Sequence, residues 1–367
     1  MACKRIGFFL GNIGSKGGAE RTFSIIANKL SESYDVMAIS YYYSSTTAYH
    51  LDEKIRIECI LDKNELQRER YILKPRYFKK IRQLVKGLDC AIMVSSASAL
   101  GILPMIGIKE LNIITWEQTS LANMMYMTFN RKLCQNISIL FSNVFLCLTE
   151  ENMKIANDRY SFLAPYIAYV YNPIDENLLS RNIICDVEQK KIITLARIDR
   201  VKGLEYLIEV ANIVLSNFPD WEWNIYGQND DKEYFVELHD KLDQYDISNR
   251  VNFFTPVEDI VPVLGKSSIY VMTSKFEGLP MSLLEAKALK LPIVAFDCKT
   301  GPSEIVQDGV NGDLITCYDV NEMAMKLQKL MNDVELRRNY SNHAHDNLDK
   351  FKMEKIISQW KILIDGN

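Results

Sequence analysis

An α/β protein of two doubly wound parallel-sheet domains, closed by a helical C-terminal segment, is what this sequence predicts. Three observations carry that expectation. The chain has 367 residues, long for one hydrophobic core and comfortable for two domains. Short apolar runs alternate with helix-spaced stretches, as in a parallel sheet with helices on both faces. The rhythm occurs twice, broken at Val170-Tyr171-Asn172-Pro173-Ile174-Asp175, which reads as an interdomain turn. The expected boundaries are 1–172, 173–350 and a C-terminal helix at 351–367 that packs back on the first domain.

In order, residues 6–10 form a short apolar strand, 11–18 a loop with four glycines, 19–30 a helix-spaced stretch and 35–40 a second strand. Apolar runs at 55–60, 90–94, 112–115 and 143–148 are the further strands of this half. The second series has strands at 191–196, 222–226, 251–254, 269–273, 292–296 and 313–316, with helical patterns between them that include 203–217 and 282–289. Beyond Tyr318 the chain reads as helical, at 320–331, 334–348 and 353–364. Ligands of such sheets bind outside the carboxyl ends of the strands, which here means a cleft between the domains.

Composition narrows the class. Eight cysteines (3, 59, 90, 134, 147, 185, 298 and 317) are scattered without a C-x-x-C or a Cys/His cluster, arguing against a disulfide framework or structural zinc and for a reducing, cytoplasmic compartment. The net charge of −4 hides an asymmetry: residues 1–172 carry 21 Lys and Arg against 15 Asp and Glu, and the remainder 22 against 32. A basic first half suits an anionic membrane or acceptor, or is simply a solvated face; no nucleic-acid partner is expected. Lys4-Arg5 and the following apolar run are too short for a signal peptide, being interrupted by Asn12 and Lys16. Two long uncharged stretches, 90–108 and 133–149, read as buried strand-plus-helix segments rather than membrane spans.

Four loops can carry chemistry. In Gly14-Ser15-Lys16-Gly17-Gly18-Ala19-Glu20-Arg21, paired glycines between a strand and a helix let backbone N–H groups approach a diphosphate, or form a plain flexible turn. Ala196-Arg197-Ile198-Asp199-Arg200-Val201-Lys202-Gly203 again joins strand to helix, and Arg197 and Lys202 can neutralise a leaving diphosphate, or lie on an exposed loop. Glu277 and Glu285 flank a helix start made by Gly278, Leu279 and Pro280, where unpaired N–H groups suit a phosphate and two carboxylates can accept from sugar hydroxyls. In Thr300-Gly301-Pro302-Ser303-Glu304, Ser303 or Glu304 is read as a cap of the next helix.

Together, Gly17-Gly18-Ala19-Glu20-Arg21, Tyr171-Asn172-Pro173-Ile174-Asp175, Arg197 with Lys202-Gly203, Glu277 with Glu285, and Thr300-Gly301-Pro302-Ser303-Glu304 resemble the retaining glycosyltransferases of family 4, across the whole chain and in the same order. The resemblance implies the GT-B fold, two Rossmann-like domains with the acceptor on the first and the nucleotide-sugar donor on the second. It implies that backbone at Gly17 and Gly18, with Arg197 and Lys202, meets the donor diphosphate. Glu277, with backbone at Gly278 and Leu279, would bind the transferred sugar, Glu285 the ribose, and Gly227 would line the nucleotide pocket. The reaction implied is metal-independent transfer, without cofactor, of a hexose or N-acetylhexosamine from a UDP-sugar to a glycan or polyprenyl-linked glycan of a cell-surface polysaccharide. Attack from the front face needs no protein base, in keeping with four histidines (50, 239, 343, 345) that all lie outside these loops, and with the lack of an Asp-x-Asp motif.

One departure is visible. Relatives often carry a histidine where this chain has Thr115-Trp116-Glu117-Gln118-Thr119; Gln118 orients a hydroxyl but does not titrate, so Glu117 or Gln118 is the expected acceptor or sugar contact. The segment 63–86 interleaves nine Lys and Arg with aromatic and aliphatic residues, the composition of an ordinary amphipathic helix or of a peripheral anionic-membrane contact. Two other functions fit the same loops: a nucleotide-sugar epimerase or hydrolase, which would need groups that handle protons or activate water, and a non-catalytic partner subunit.

Overall fold

The computed structural model describes residues 3–63, 75–122, 128–160, 166–180 and 185–366. The chain divides into two compact units, Met1–Pro173 with Met353–Asn367, and Ile174–Lys352.

The first unit is built on strands β1 (Arg5–Leu10), β2 (Asp35–Ser40), β3 (Arg56–Cys59), β4 (Cys90–Val94), β5 (Asn112–Trp116), β6 (Val144–Cys147) and β7 (Tyr166–Tyr169). They form one parallel sheet in the order β3-β2-β1-β4-β5-β6-β7. Its central strands β1 and β4 are apolar and buried along their length, Arg5 at the start of β1 excepted, because helices cover both faces. The direction of winding reverses between β1 and β4, the kind of switch point at whose carboxyl ends open α/β sheets bind ligands. The uncharged stretches 90–108 and 133–149 resolve into β4 followed by a 3-10 segment, Ser96–Met105, and the end of the helix Phe129–Phe141 followed by β6.

The C-terminal helix Met353–Asp365 belongs to this first unit. Trp360 meets Trp116 of β5 edge to face, with centroids 4.9 Å apart at 80°, a geometry worth about 1 kcal/mol beyond burial. Asn112 Nδ2 donates to Leu363 O at 3.0 Å, and Lys4 pairs with Asp365 at 3.2 Å.

The second unit has β8 (Lys191–Leu195), β9 (Glu222–Tyr226), β10 (Val251–Phe254), β11 (Ile269–Met272), β12 (Ile293–Phe296) and β13 (Gly312–Ile315), parallel in the order β10-β9-β8-β11-β12-β13. The helix Leu204–Asn217 buries Leu204, Leu207, Ile208, Ala211, Val214 and Leu215, the 3.6-residue stripe of a core-facing helix. Here the winding reverses between β8 and β11.

Three details differ from the sequence expectation. Strand β7 is unforeseen: it is an edge strand of four residues with one outward aromatic, too short to show alternation. The helix expected at 334–348 stops at Asn342, because His343 caps it and Asn347 turns through φ 63°. Neither Ser303 nor Glu304 caps the helix Pro302–Ile305; Gly301, at φ 101°, is the cap. Of the basic segment 63–86, residues 64–74 lie outside the described residues. The remainder includes the helix Pro75–Leu84, which buries Tyr77 and Ile81 and exposes Arg76, Lys79 and Arg82. Among the described residues, no helix is long and apolar enough to cross a membrane.

Candidate active site

In the second unit the singled-out residues converge on the carboxyl ends of the strands around the winding reversal. Arg197 and Lys202 follow β8, Gly227 follows β9, Glu277 follows β11 and Thr300 follows β12. This is where an open α/β sheet binds ligands.

The turn after β8 is tightly built. Asp199 accepts from the N–H groups of Val201 at 3.0 Å and Lys202 at 3.2 Å, capping a single 3-10 turn, Arg200–Lys202. Gly203 then stands at φ 61°, and a side-chain carbon there would lie 2.3 Å from Thr273 O. Only glycine suits both the left-handed backbone and the close approach of β11. Thr273 Oγ1 donates to Lys202 O at 3.1 Å and Lys275 N to Val201 O at 2.8 Å, so the loops after β8 and β11 are tied to each other.

That union brings Lys202 and Glu277 together across 75 residues. Lys202 Nζ lies 2.7 Å from Glu277 Oε1, with the two side chains 19% and 13% exposed. The pair is half sheltered yet open on one side, and the ammonium keeps two further N–H donors for a ligand. Arg197 is directed differently: its guanidinium pairs with Asp199 at 2.9 Å and Asp230 at 3.0 Å. Arg200, the third cation of the loop, is a structural residue that pairs with Glu237 at 2.6 Å and lies 5.0 Å over the Tyr234 ring.

The helix Met281–Ala288 begins behind this pair. Pro280, at φ −72°, is its cap rather than its first residue, and no side chain caps it, which leaves its first N–H groups for other partners. Glu285, one turn in, is 6% exposed; it is therefore a buried carboxylate and not a solvated helix residue. Tyr270 beneath it is wholly buried and donates to Leu195 O at 3.3 Å. Burial, with the carboxylates of Glu285 and Glu277 nearby, pushes the Tyr270 hydroxyl well above the usual phenol range. Leu279 is buried, so backbone is what it and Gly278 can present.

The fourth loop proves to be a clamp. Thr300 Oγ1 donates to Glu277 O at 2.5 Å. A side-chain carbon on Gly301 would lie 2.6 Å from Pro280 Cδ and 3.0 Å from Gly278 O. The Thr300-Gly301-Pro302 tripeptide thus fixes the backbone between Glu277 and the helix, a role its sequence signal, a glycine before proline, leaves open. Glu205 and Lys275, unremarked in the sequence, sit alongside. Burial alone would raise the Glu205 carboxyl, but hydrogen bonds from Lys275, at 2.5 Å, and Tyr234 hold it below the usual range.

Lys287, on the same helix, is fully buried and donates to Ile305 O at 2.9 Å. Burial pushes its pKa from 10.5 down to about 8, against the opposing pull of Asp346 and with some help from Lys350. Between these values the unfolded chain binds a proton that the native state has released, so stability gains up to roughly 3 kcal/mol as pH rises through the window. Melting temperatures of wild type and Lys287→Met, compared from pH 7.5 to 10, are expected to shift progressively in favour of wild type. A difference that stays constant with pH would contradict this.

In the first unit, Gly17 is the cap of the helix Gly18–Leu30, and a carbon on Gly18 would meet nothing within 4 Å. The preceding loop is an ordered turn, with Gly14 N on Asn12 Oδ1 at 2.9 Å and Ile13 N on Ser40 Oγ at 3.2 Å. Glu117, after β5, is fully buried and turned inward: Oε1 accepts from Thr119 N at 3.0 Å and Thr119 Oγ1 at 2.7 Å, and Oε2 from Gln135 at 3.5 Å. Gln118 is the half-buried neighbour, and its Nε2 is buried with no hydrogen-bond partner.

Comparison with known proteins agrees with this architecture. The family described as glycosyl transferases group 1 matches residues 177–347. An uncharacterized glycosyltransferase of Haemophilus influenzae is 33% identical over 364 residues, covering 98% of this chain and 99% of its own. The amylovoran biosynthesis glycosyltransferase AmsD of Erwinia amylovora is 27% identical over 361 residues, 96% and 97% of the two chains. Among solved structures, TarM of S. aureus, in complex with fondaparinux, alpha-GlcNAc-glycerol and UDP, superposes with a TM-score of 0.80 at 15% identity over 99% of this chain and 100% of its own. With two parallel α/β sheets and a near full-length relative, this chain has the GT-B fold and belongs to the glycosyl transferases group 1 family.

Proposed function

We propose that this glycosyltransferase is a retaining, metal-independent enzyme of family 4 that moves a hexose or N-acetylhexosamine from a UDP-sugar to a glycan or polyprenyl-linked glycan of a surface polysaccharide, such as an exopolysaccharide, capsule or O-antigen. The observation that carries this reading is the Lys202–Glu277 pair beside an uncapped helix start. Glu277 accepts from hydroxyls of the transferred sugar while its partner ammonium turns its remaining donors to a phosphate oxygen. Gly278 and Leu279 offer backbone N–H groups at the helix start, where partial positive charge favours an anion. Glu285 accepts from the ribose, and Gly227 allows the nucleotide close to the sheet edge.

Arg197 releases Asp199 or Asp230 to meet the diphosphate, together with Lys202 and the backbone at Gly17 and Gly18. In the step itself the bond from the anomeric carbon to the phosphate oxygen breaks as the acceptor oxygen bonds the same face. The acceptor proton passes to the departing phosphate oxygen. Charge on the leaving group is met by fixed cations and N–H dipoles. Gln118 Nε2, buried and unpartnered, is the better placed of the Glu117–Gln118 pair to orient a hydroxyl. TarM's complex with UDP and AmsD's place in amylovoran biosynthesis support the donor and acceptor classes. The basic 63–86 segment supports a cytoplasmic protein peripheral to an anionic membrane.

The test is UDP release from UDP-glucose, UDP-galactose and their 2-acetamido analogues in EDTA, with and without an oligosaccharide-lipid acceptor, followed by NMR of the product. Acceptor-dependent release with a retained anomeric configuration is the expected result. Release without acceptor would mark a hydrolase, sugar interconversion without release an epimerase, and binding without turnover a partner subunit.

A further inference from the structure

We propose that the outward face of the helix Phe129–Phe141 docks this protein on an anionic lipid bilayer. The helix buries Cys134 and Ile139 in the core yet carries further apolar side chains on the side that faces outward. Positions 129, 133, 136 and 140 lie on one face and carry Phe129, Leu133, Asn136 and Leu140. Phe129 is 79% exposed, Leu133 46% and Leu140 51%, with Phe141 beside them at 41%. The opposite face is buried and consists of Cys134, Gln135, Ser138 and Ile139.

The polar groups inside are held in place. Gln135 Nε2 reaches Glu117 Oε2 at 3.5 Å, Tyr160 OH reaches Gln135 Oε1 at 3.5 Å, and Ser138 Oγ donates to Cys134 O at 3.0 Å. Rotating the helix to bury its leucines would strand this network, so the apolar stripe stays outside. An exposed apolar stripe of this kind, interrupted by Asn136 alone, marks an interaction surface.

Charge selects the occupant. Lys132 flanks the stripe, about 60° round the helix from Phe129. The helix packs against the 3-10 segment Ser96–Met105, and the helix Pro75–Leu84, with Arg76, Lys79 and Arg82 exposed, packs against the same segment. Arg82 donates to Pro104 O at 2.8 Å and Ile106 O at 3.2 Å, and Ile106 is itself exposed. No Asp or Glu occurs in residues 70–88 or 118–149. Apolar side chains that enter the acyl boundary, beside cations at headgroup level, are the two signals that together give stable attachment.

The proposal goes beyond the donor chemistry and is tested without nucleotide or acceptor, so that its failure and the failure of the transferase reading are separate. Full-length protein is sedimented with phosphatidylcholine vesicles, with and without phosphatidylglycerol, over a range of salt. The comparison is the triple variant Phe129→Ser, Leu133→Ser, Leu140→Ser. All three side chains are exposed, so circular dichroism and melting temperature should match wild type. The expected result is salt-sensitive binding to phosphatidylglycerol vesicles that weakens at least tenfold in the variant, with the melting temperature unchanged. Equal binding of variant and wild type, or no binding by wild type, overturns the proposal. So does a wild-type dimer that becomes monomeric in the variant by light scattering, because a second copy would then cover the face.

Discussion

Alanine at Lys202 or at Glu277 is expected to lower kcat/KM for sugar transfer by at least about 100-fold, the scale of losing one preorganised charged group from a transition state. The fold should survive. The two side chains meet at 2.7 Å but are still 19% and 13% exposed, so the partner left alone can recover water, at a cost of about 1–2 kcal/mol. In a unit of this size that corresponds to a few degrees in Tm. The double variant separates function from structure. If the pair only braced the loops after β8 and β11, removing both partners would restore stability, and activity per folded molecule would be near normal throughout. If the pair binds donor, the double variant is as stable as either single variant or more so, and no more active. Measured kcat/KM beside thermal melts decides between these outcomes.

Gly227→Ala should instead fail structurally. A carbon at Gly227 would lie 1.8 Å from Ala196 O and 3.2 Å from Arg197 N. Both are backbone atoms in the stretch that leads to Lys202, and that stretch is tied to its neighbours: Ala196 N donates to Tyr226 O at 3.0 Å, and Gly227 N to Phe254 O at 3.0 Å. The clash can be relieved only by parting β8 from β9, so a loss of about 3 kcal/mol or more is expected, as for severe overpacking. Denaturant melts would show it. Gly18→Ala is the contrast: a carbon there meets nothing within 4 Å, and alanine favours a helix by about 1 kcal/mol over glycine. It should keep full stability while losing donor affinity, if backbone at Gly18 approaches the diphosphate. A Gly18→Ala enzyme with unchanged KM would remove that residue from the site.

Much of the fold was legible because a parallel sheet buries its strands on both faces. Runs such as 35–40, 90–94, 222–226 and 251–254 are mostly apolar or aromatic, with polar residues such as Asp35, Glu222 and Asn252 few among them, and those four coincide with observed strands. Strand β7 escaped because an edge strand is covered on one side only, so its four residues carry little pattern. The loops were also visible, since Gly203 and the Gly278-Leu279-Pro280 turn leave local marks. What those loops do to one another was not. Thr300 looked like the prelude to a capped helix, and it holds the carbonyl of Glu277 instead. Arg197 and Lys202 looked equivalent, yet Arg197 is claimed by Asp199 and Asp230 while Lys202 faces Glu277.

By itself, the sequence determined the α/β class, the doubling of the strand–helix rhythm and the loops where charged groups meet helix starts. These follow from local rules: hydrophobic period, glycine at special backbone angles and proline near helix starts. Only the tertiary structure decided that Lys202 and Glu277, 75 positions apart, form a hydrogen-bonded ion pair, that Glu285 is buried, and that the helix Phe129–Phe141 shows its leucines to the outside. Pairing and burial depend on which strands become neighbours, and that is set by the sum of many weak contacts across the sheet rather than by any stretch of chain that could be read alone.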